Sequence, residues 1–110
     1  MKKLILIPVL TLLFSLVYSV SAIAGYIAQD VVIVSVSNTN RNEDTFTVWI
    51  EGGETKCTTI DFPRSASPST EIHKRAFSSA LAAFTTGAKA VIYNYKGEDC
   101  RNASLIRLLK

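Results

Sequence analysis

The sequence predicts a β-rich α+β domain: a small five-stranded Greek-key barrel with one helix between strands three and four. Three observations lead to this prediction. Only residues 67–87 keep helical spacing of apolar residues over several turns. Five shorter runs alternate in polarity and are rich in β-branched and aromatic residues, three before that stretch and two after it. Two cysteines, Cys57 and Cys100, lie on opposite sides of the helical stretch.

The first 24 residues are expected to be a signal peptide. Two lysines begin the chain, an almost unbroken apolar run covers residues 4–20, and residues 22–24 read Ala-Ile-Ala, the small-x-small pattern that signal peptidase cleaves. An uncleaved membrane anchor is the alternative, since the run approaches the length of a membrane span. We therefore expect an exported bacterial protein, periplasmic or secreted, with one domain at 25–110 and no stable membrane insertion after cleavage.

The predicted domain is close to neutral. The chain has 12 basic and 9 acidic residues, and Lys2 and Lys3 belong to the leader, so ten basic and nine acidic residues remain, a net charge of +1. The domain has neither a long basic run nor an acidic tail. We expect no nucleic acid partner, because nucleic acid binding depends on clustered positive charge.

The two cysteines predict one structural disulfide, between Cys57 and Cys100. An even and minimal count in an exported chain is typical of a single disulfide. The sequence lacks the Cys-x-x-Cys pattern of redox-active sites. Zinc is a poor alternative, since His73 is the only histidine. Closing a loop of this length stabilises a domain by roughly 4 kcal/mol on the chain-entropy model.

The five predicted strands are residues 26–37, 45–51, 55–62, 89–95 and 103–109. Polar turns are expected at 38–44 and 96–99, and a tight reversal at Gly52-Gly53.

Alternation assigns faces to the first two strands. The first places Val32, Val34 and Val36 opposite Val31, Ile33 and Ser35. The second places Phe46, Val48 and Ile50 opposite Thr47, Trp49 and Glu51.

The predicted helix has recognisable ends. Ser67 suits the N-cap, Pro68 the first helical position and Gly87 a left-handed C-cap. Seven apolar residues recur at steps of three and four and predict one broad buried face: Ile72, Ala76, Phe77, Ala80, Leu81, Ala83 and Phe84.

Three strands, one helix and two strands in this order are the arrangement of an OB-fold, a small Greek-key barrel with a helix at one end. A flat five-stranded sheet with the helix across one face fits the same pattern. Both alternatives stay open at this level.

The chain also resembles the B subunits of bacterial AB-type toxins. Residues 80–93, which read Ala-Leu-Ala-Ala-Phe-Thr-Thr-Gly-Ala-Lys-Ala-Val-Ile-Tyr, and then Cys100 are similar to a helix that ends in glycine, runs into a strand and is followed by the second cysteine. Small exported Gram-negative proteins of unestablished function are similar too. The resemblance covers about half of the domain and implies an OB-type fold and a ring of subunits with glycan-binding surfaces. No sugar-binding motif matches, so no binding residue is carried over.

Trp49 is the leading candidate for a functional residue. If Phe46, Val48 and Ile50 face the core, Trp49 and Thr47 face outward, where a large ring suits glycan stacking or a subunit interface. Cover by the helix or by a long loop is the alternative. Tyr93 and Tyr95 raise the same question on the fourth strand.

We expect a non-enzymatic binding module that recognises a glycan or a protein, as a toxin B subunit would. A structural or assembly subunit without a small ligand, able to form homo-oligomers, is the alternative. No catalytic residue is expected, because His73 lacks a partner set and is predicted to be a partly exposed helix residue. No cofactor or metal is expected either, since no ligand-dense loop surrounds Asp61, Glu98 and Asp99.

Overall fold

The structure is a computed structural model that describes residues 25–40, 43–95 and 99–110. The predicted signal peptide, residues 1–24, lies outside the described residues, and so do residues 41–42 and 96–98 of the two predicted polar turns. Within the described ranges, no helix is long and apolar enough to cross a membrane.

The elements in chain order are β1 (Gly25–Ser37), β2 (Thr45–Glu51), β3 (Glu54–Thr55), β4 (Thr59–Pro63), a short 3-10 helix (Arg64–Ala66), α1 (Thr70–Thr86), β5 (Lys89–Asn94) and β6 (Leu105–Leu108). The strands pair antiparallel in the order β4-β2-β1-β5-β6, and β3 also pairs with β1. The domain is therefore β-rich α+β, with one antiparallel sheet and one α-helix in the described part. The sheet is not closed by strand pairing, so the OB-like barrel stays a prediction.

Strand β2 has the predicted bounds, and burial alternates along its second half, but Thr47, predicted to face outward, is buried. Phe46, Val48 and Ile50 are buried, and Trp49 and Glu51 are exposed. Its pairing is regular along β4. A regular ladder keeps the period of two, so sequence alternation determines the faces.

Strand β1 departs from simple alternation because its register shifts three times, twice against β5 and once against β2. The shift between Ile33 and Ser35 adds one residue to β1, which leaves Val34 exposed and lets Val36 pack against the core. The predicted grouping of Val34 and Val36 on one face is therefore wrong. A second shift contains Asp30, whose φ is +55°.

The predicted third strand is divided into β3 and β4. Gly52 and Gly53 both have positive φ and form the expected reversal after β2. A Cβ on Gly53 would collide with the backbone oxygen of Gln29, so the hairpin lies directly against β1. The chain between β3 and β4 leaves strand geometry at Cys57, which forms the disulfide with Cys100 at a Cα–Cα distance of 6.1 Å.

Helix α1 begins later than predicted. Ser69, not Ser67, is the N-cap, and its hydroxyl accepts a hydrogen bond from the Ile72 N–H at 3.2 Å. Ser67 instead ends the 3-10 helix, where its N–H donates to the Arg64 carbonyl at 3.1 Å. The predicted C-cap is confirmed: Gly87 has φ +72° and its N–H donates to the Ala83 carbonyl at 2.9 Å.

The buried residues of the helix are His73 and three alanines, and most of its large apolar residues are exposed. His73, Ala76, Ala80 and Ala83 are buried, and Phe77 is partly buried against the core. By contrast Ile72, Leu81 and Phe84 are exposed, at 36%, 42% and 48%. The predicted seven-residue face is wrong for these three, because the surface that the sheet offers is narrower than the apolar stripe.

One further contact concerns the open edge of β4. The Asp61 N–H donates to the Cys100 carbonyl at 2.9 Å, and the Ala103 N–H donates to the Asp61 carbonyl at 3.0 Å. The turn before β6 is thus held against β4 by two backbone hydrogen bonds as well as by the disulfide. This places Arg101 and Asn102 beside the outer face of β4.

Candidate functional site

A polar cleft of about 750 Å³ lies on the outer face of β2 and β4. The end of β1, the loop before β2, the segment after β3 and the turn at Cys100 form its rim. Nine of its lining residues carry neutral hydroxyl or amide groups: Ser37, Thr39, Asn40, Thr45, Thr47, Thr58, Thr59, Ser65 and Asn102. Such a surface suits a ligand that both donates and accepts hydrogen bonds.

Trp49 is the aromatic wall of this cleft. It lies on β2 opposite Thr59 of β4 and Ser35 of β1, and 39% of its surface is exposed. Its strand neighbours on that face are small, so the indole is not covered by them. The helix packs on the other face of the sheet, against β1 and β6. Trp49 is therefore available to a ligand.

Asp61 supplies a carboxylate to the cleft. The Thr47 hydroxyl donates to Asp61 Oδ1 at 2.8 Å, and Asn40 Nδ2 donates to the same oxygen at 3.5 Å. Thr47 lines the cleft but is buried, whereas the sequence predicts it on the outward face. These bonds hold the carboxylate in place, and its second oxygen retains capacity to accept from a ligand hydroxyl.

The turn at 99–102 forms the opposite wall. The Arg101 N–H donates to Asp99 Oδ1 at 2.9 Å, and Asn102 Nδ2 donates to Asp99 Oδ2. The Arg101 N–H first, and then the Asn102 amide, hold the pKa of Asp99 below its usual value. The ionised Asp99 side chain thus shapes the turn that presents Arg101 and Asn102 to the cleft.

The cleft carries no net charge among its described residues. Glu43 and Asp61 are balanced by Lys56 and Arg101. A strongly anionic ligand such as a nucleic acid backbone would need an excess of positive charge along its path. The geometry favours a neutral, hydroxyl-rich ligand.

The predicted site residues fall in two places. Trp49 and Thr47 meet in the cleft, whereas Tyr93 and Tyr95 lie on another part of the surface with Tyr26. The ring centroids of Tyr26 and Tyr93 are 5.4 Å apart, and those of Tyr93 and Tyr95 are 5.3 Å apart. The structure does not bring the four residues together.

Sequence reasoning missed most of the cleft. Asn40, Asp61, Arg101 and Asn102 come from separate segments and follow no common spacing. The cysteine pair is the one signal that could have found them, since a disulfide between residues 57 and 100 brings the flanking segments together.

His73 belongs to the core. It is 8% exposed, more deeply buried than the predicted partly exposed position, and its Nε2 donates to the Phe62 carbonyl at 2.8 Å. Its Nδ1 lies 4.0 Å from Asp44 Oδ1, and its ring contacts Phe46. These contacts join the helix to the sheet, away from the cleft.

Comparison with known proteins identifies a family but no relative of known function. No curated protein and no solved structure matches the chain. A family model described as "Family of unknown function (DUF5992)" matches residues 7–110, almost the entire sequence. The chain therefore belongs to the DUF5992 family of unknown function.

Proposed function

We propose that this protein is an exported, non-enzymatic binding module that holds a neutral glycan in the cleft on β2 and β4. The observation that carries the proposal is the position of Trp49, exposed on the wall of a polar cleft whose described residues carry no net charge. A sugar ring has an apolar face that stacks on an indole and an edge of hydroxyls that exchange hydrogen bonds. The cleft offers both kinds of contact.

Support for a barrel of the OB type comes from the two edges of the sheet. The Asp61 N–H donates to the Cys100 carbonyl and the Asp61 carbonyl accepts from the Ala103 N–H, which connects the edge of β4 with the segment that enters β6. In OB-folds the face of the second and third strands and the adjoining loops bind oligonucleotides or oligosaccharides. The cleft lies on the second and third long strands in chain order, β2 and β4, which supports this comparison, and the charge balance of its described residues favours the oligosaccharide over a nucleic acid.

Export is part of this proposal. A disulfide in a small domain is typical of an oxidising compartment, and residues 1–24 have the pattern of a signal peptide. The periplasm and the outside of a bacterium both meet this condition. Carbohydrates are abundant ligands in either place.

A second candidate function is assembly, in which the protein is a structural subunit or part of a toxin-like ring without a small ligand. The exposed Leu81 and Phe84 on α1 favour it, because large apolar side chains on an outer surface suit burial between subunits. In that case the outward apolar residues would determine the oligomeric state and would not bind a glycan.

The test is a glycan array on the wild-type protein and on Trp49→Ala. Loss of a well-placed aromatic contact costs about 1–3 kcal/mol, so glycan binding should fall about 5- to 150-fold while the melting temperature stays close to wild type. Tyr95→Ala is the matched control, because Tyr95 is also an exposed aromatic residue but lies outside the cleft.

Two results would contradict the proposal. If the wild-type protein binds no glycan on the array, the glycan proposal is wrong. Sedimentation of the same sample would then measure its oligomeric state, which tests the assembly alternative. A large fall in melting temperature for Trp49→Ala with unchanged glycan binding would make Trp49 a structural residue.

A further inference from the structure

A second surface, which we call the tyrosine patch, consists of Tyr26, Tyr93 and Tyr95. Tyr26 and Tyr95 are exposed at 47% and 52%, and the three rings meet edge to face in one row. A shallow cavity of about 320 Å³ lies among them, completed by Val91, Leu105 and Arg107. The patch is amphipathic, since each ring carries a hydroxyl at its tip and an apolar body.

Basic residues border this patch. Arg107 lines its cavity, and Arg75 lines an adjacent one that shares Tyr95 and Leu105 with it. Both arginines are exposed, and in the described parts of the chain no carboxylate lies within ion-pair distance of either. The patch therefore has positive charge beside Tyr95 and Leu105, whereas the cavity on the far side of Tyr26 is lined by both Glu54 and Lys56.

Charge is also unevenly distributed along the sequence of the predicted domain, residues 25–110. Residues 25–63 contain six acidic and two basic residues, whereas residues 64–110 contain three acidic and eight basic residues, which gives net charges of −4 and +5. Trp49 and most of the cleft belong to the acidic part, and the patch belongs mainly to the basic part. An anionic surface would therefore attract residues 64–110 more strongly than residues 25–63.

We propose that the tyrosine patch and its flanking arginines dock on an anionic lipid surface. Tyrosine rings are enriched at the headgroup level of membranes, where their apolar body and polar tip are both satisfied. Arginines near an anionic leaflet each strengthen binding about fivefold, an effect that decays within a Debye length. Ile72 is an exposed apolar residue in the adjacent cavity that holds Arg75.

Strands β5 and β6 lie at one end of the strand order and β4 lies at the other. The patch and the cleft are separate cavities that share no described lining residue, so docking through the patch does not require Trp49 to contact the lipid. The proposal does not depend on what the cleft binds.

The experiment measures cosedimentation with vesicles. Protein expressed from the full-length gene, purified with its disulfide intact, is mixed with vesicles of phosphatidylcholine alone and of phosphatidylcholine with phosphatidylglycerol. We expect binding only to the anionic vesicles, and its loss at about 1 M salt, where the Debye length is about 3 Å. Retention of an apolar leader would instead produce binding to both kinds of vesicle, and intact mass identifies such chains so that they are removed.

Variants locate the surface. Arg75→Gln with Arg107→Gln should weaken vesicle binding by about 25-fold, as two independent fivefold losses. Tyr95→Ser should weaken it without changing its salt dependence. Arg101→Gln is the matched control, since it removes the same charge from the cleft wall and should leave binding near wild type. Trp49 is the only tryptophan, and its emission should not shift when vesicles are added, because it lies outside the tyrosine patch.

Several outcomes would overturn the proposal. Absence of anionic-vesicle binding in the wild-type protein is the most direct. Equal losses for the Arg101 control and the double variant, or a blue shift of Trp49 emission, would assign lipid contact to another surface. Self-association in the absence of vesicles that Arg107→Glu abolishes would make the patch an interface between copies.

Discussion

The two halves of helix α1 meet the sheet with different side chains. The first half uses rings: Phe77 packs edge to face on Phe46 at 5.2 Å, Phe46 stacks on Phe62 at 4.4 Å, and His73 donates to the Phe62 carbonyl. The second half buries only Ala80 and Ala83. Its own ring, on Phe84, is almost half exposed although it falls on the same stripe as Phe77.

This difference shows that amphipathic spacing and packing distance are separate properties. Spacing places Phe77 and Phe84 on one stripe, seven residues apart. Close approach of the second half to the sheet leaves room for alanine methyl groups and no room for a ring between them. The large residues of the second half, Leu81 and Phe84, lie outside its contact with the sheet and are partly exposed to solvent.

The largest expected effect is at the ring cluster. Phe77→Ala should lower the free energy of unfolding by about 3 kcal/mol, the lower end of the range for buried phenylalanine, because the ring is only partly buried. Denaturant melts followed by circular dichroism measure it. A loss below about 1 kcal/mol would mean that the first half of the helix does not depend on ring packing.

An intermediate effect is expected at the close contact. Ala80→Leu adds three carbon atoms at a position with no exposed surface and should cost about 1–3 kcal/mol through overpacking. The matched control is Ala82→Leu, an exposed position two residues further on. Equal stability of the two variants would show that the second half has space at its interface with the sheet.

The smallest effect is expected at the exposed ring. Phe84→Ala should change the free energy of unfolding by no more than about 0.5 kcal/mol, since surface substitutions outside special features stay within that range. The same melts that measure Phe77→Ala provide the comparison. A loss at Phe84 as large as that at Phe77 would restore the seven-residue buried face that spacing alone predicts.

The cleft and the strands illustrate how far sequence reasoning extends. Trp49 could be assigned to the outer face because β2 pairs without interruption, so its period of two survives. The faces of β1 could not be assigned, because its extra residues are accommodated against two different neighbours. The partners of Trp49 in the cleft were equally inaccessible, since Asp61 and Asn102 are separated by a helix and two turns.

The sequence by itself determined the features that depend on near neighbours along the chain: the β-rich composition with one helix, the bounds and faces of β2, the C-cap at Gly87 and the two cysteines available to form a disulfide. These depend on backbone preference, on side-chain periodicity and on residue count. Only the tertiary structure decided that Ser69 caps the helix, that His73 is buried and that Phe84 is not. The physical reason is that burial is a property of two surfaces, and only the fold shows where the second surface ends.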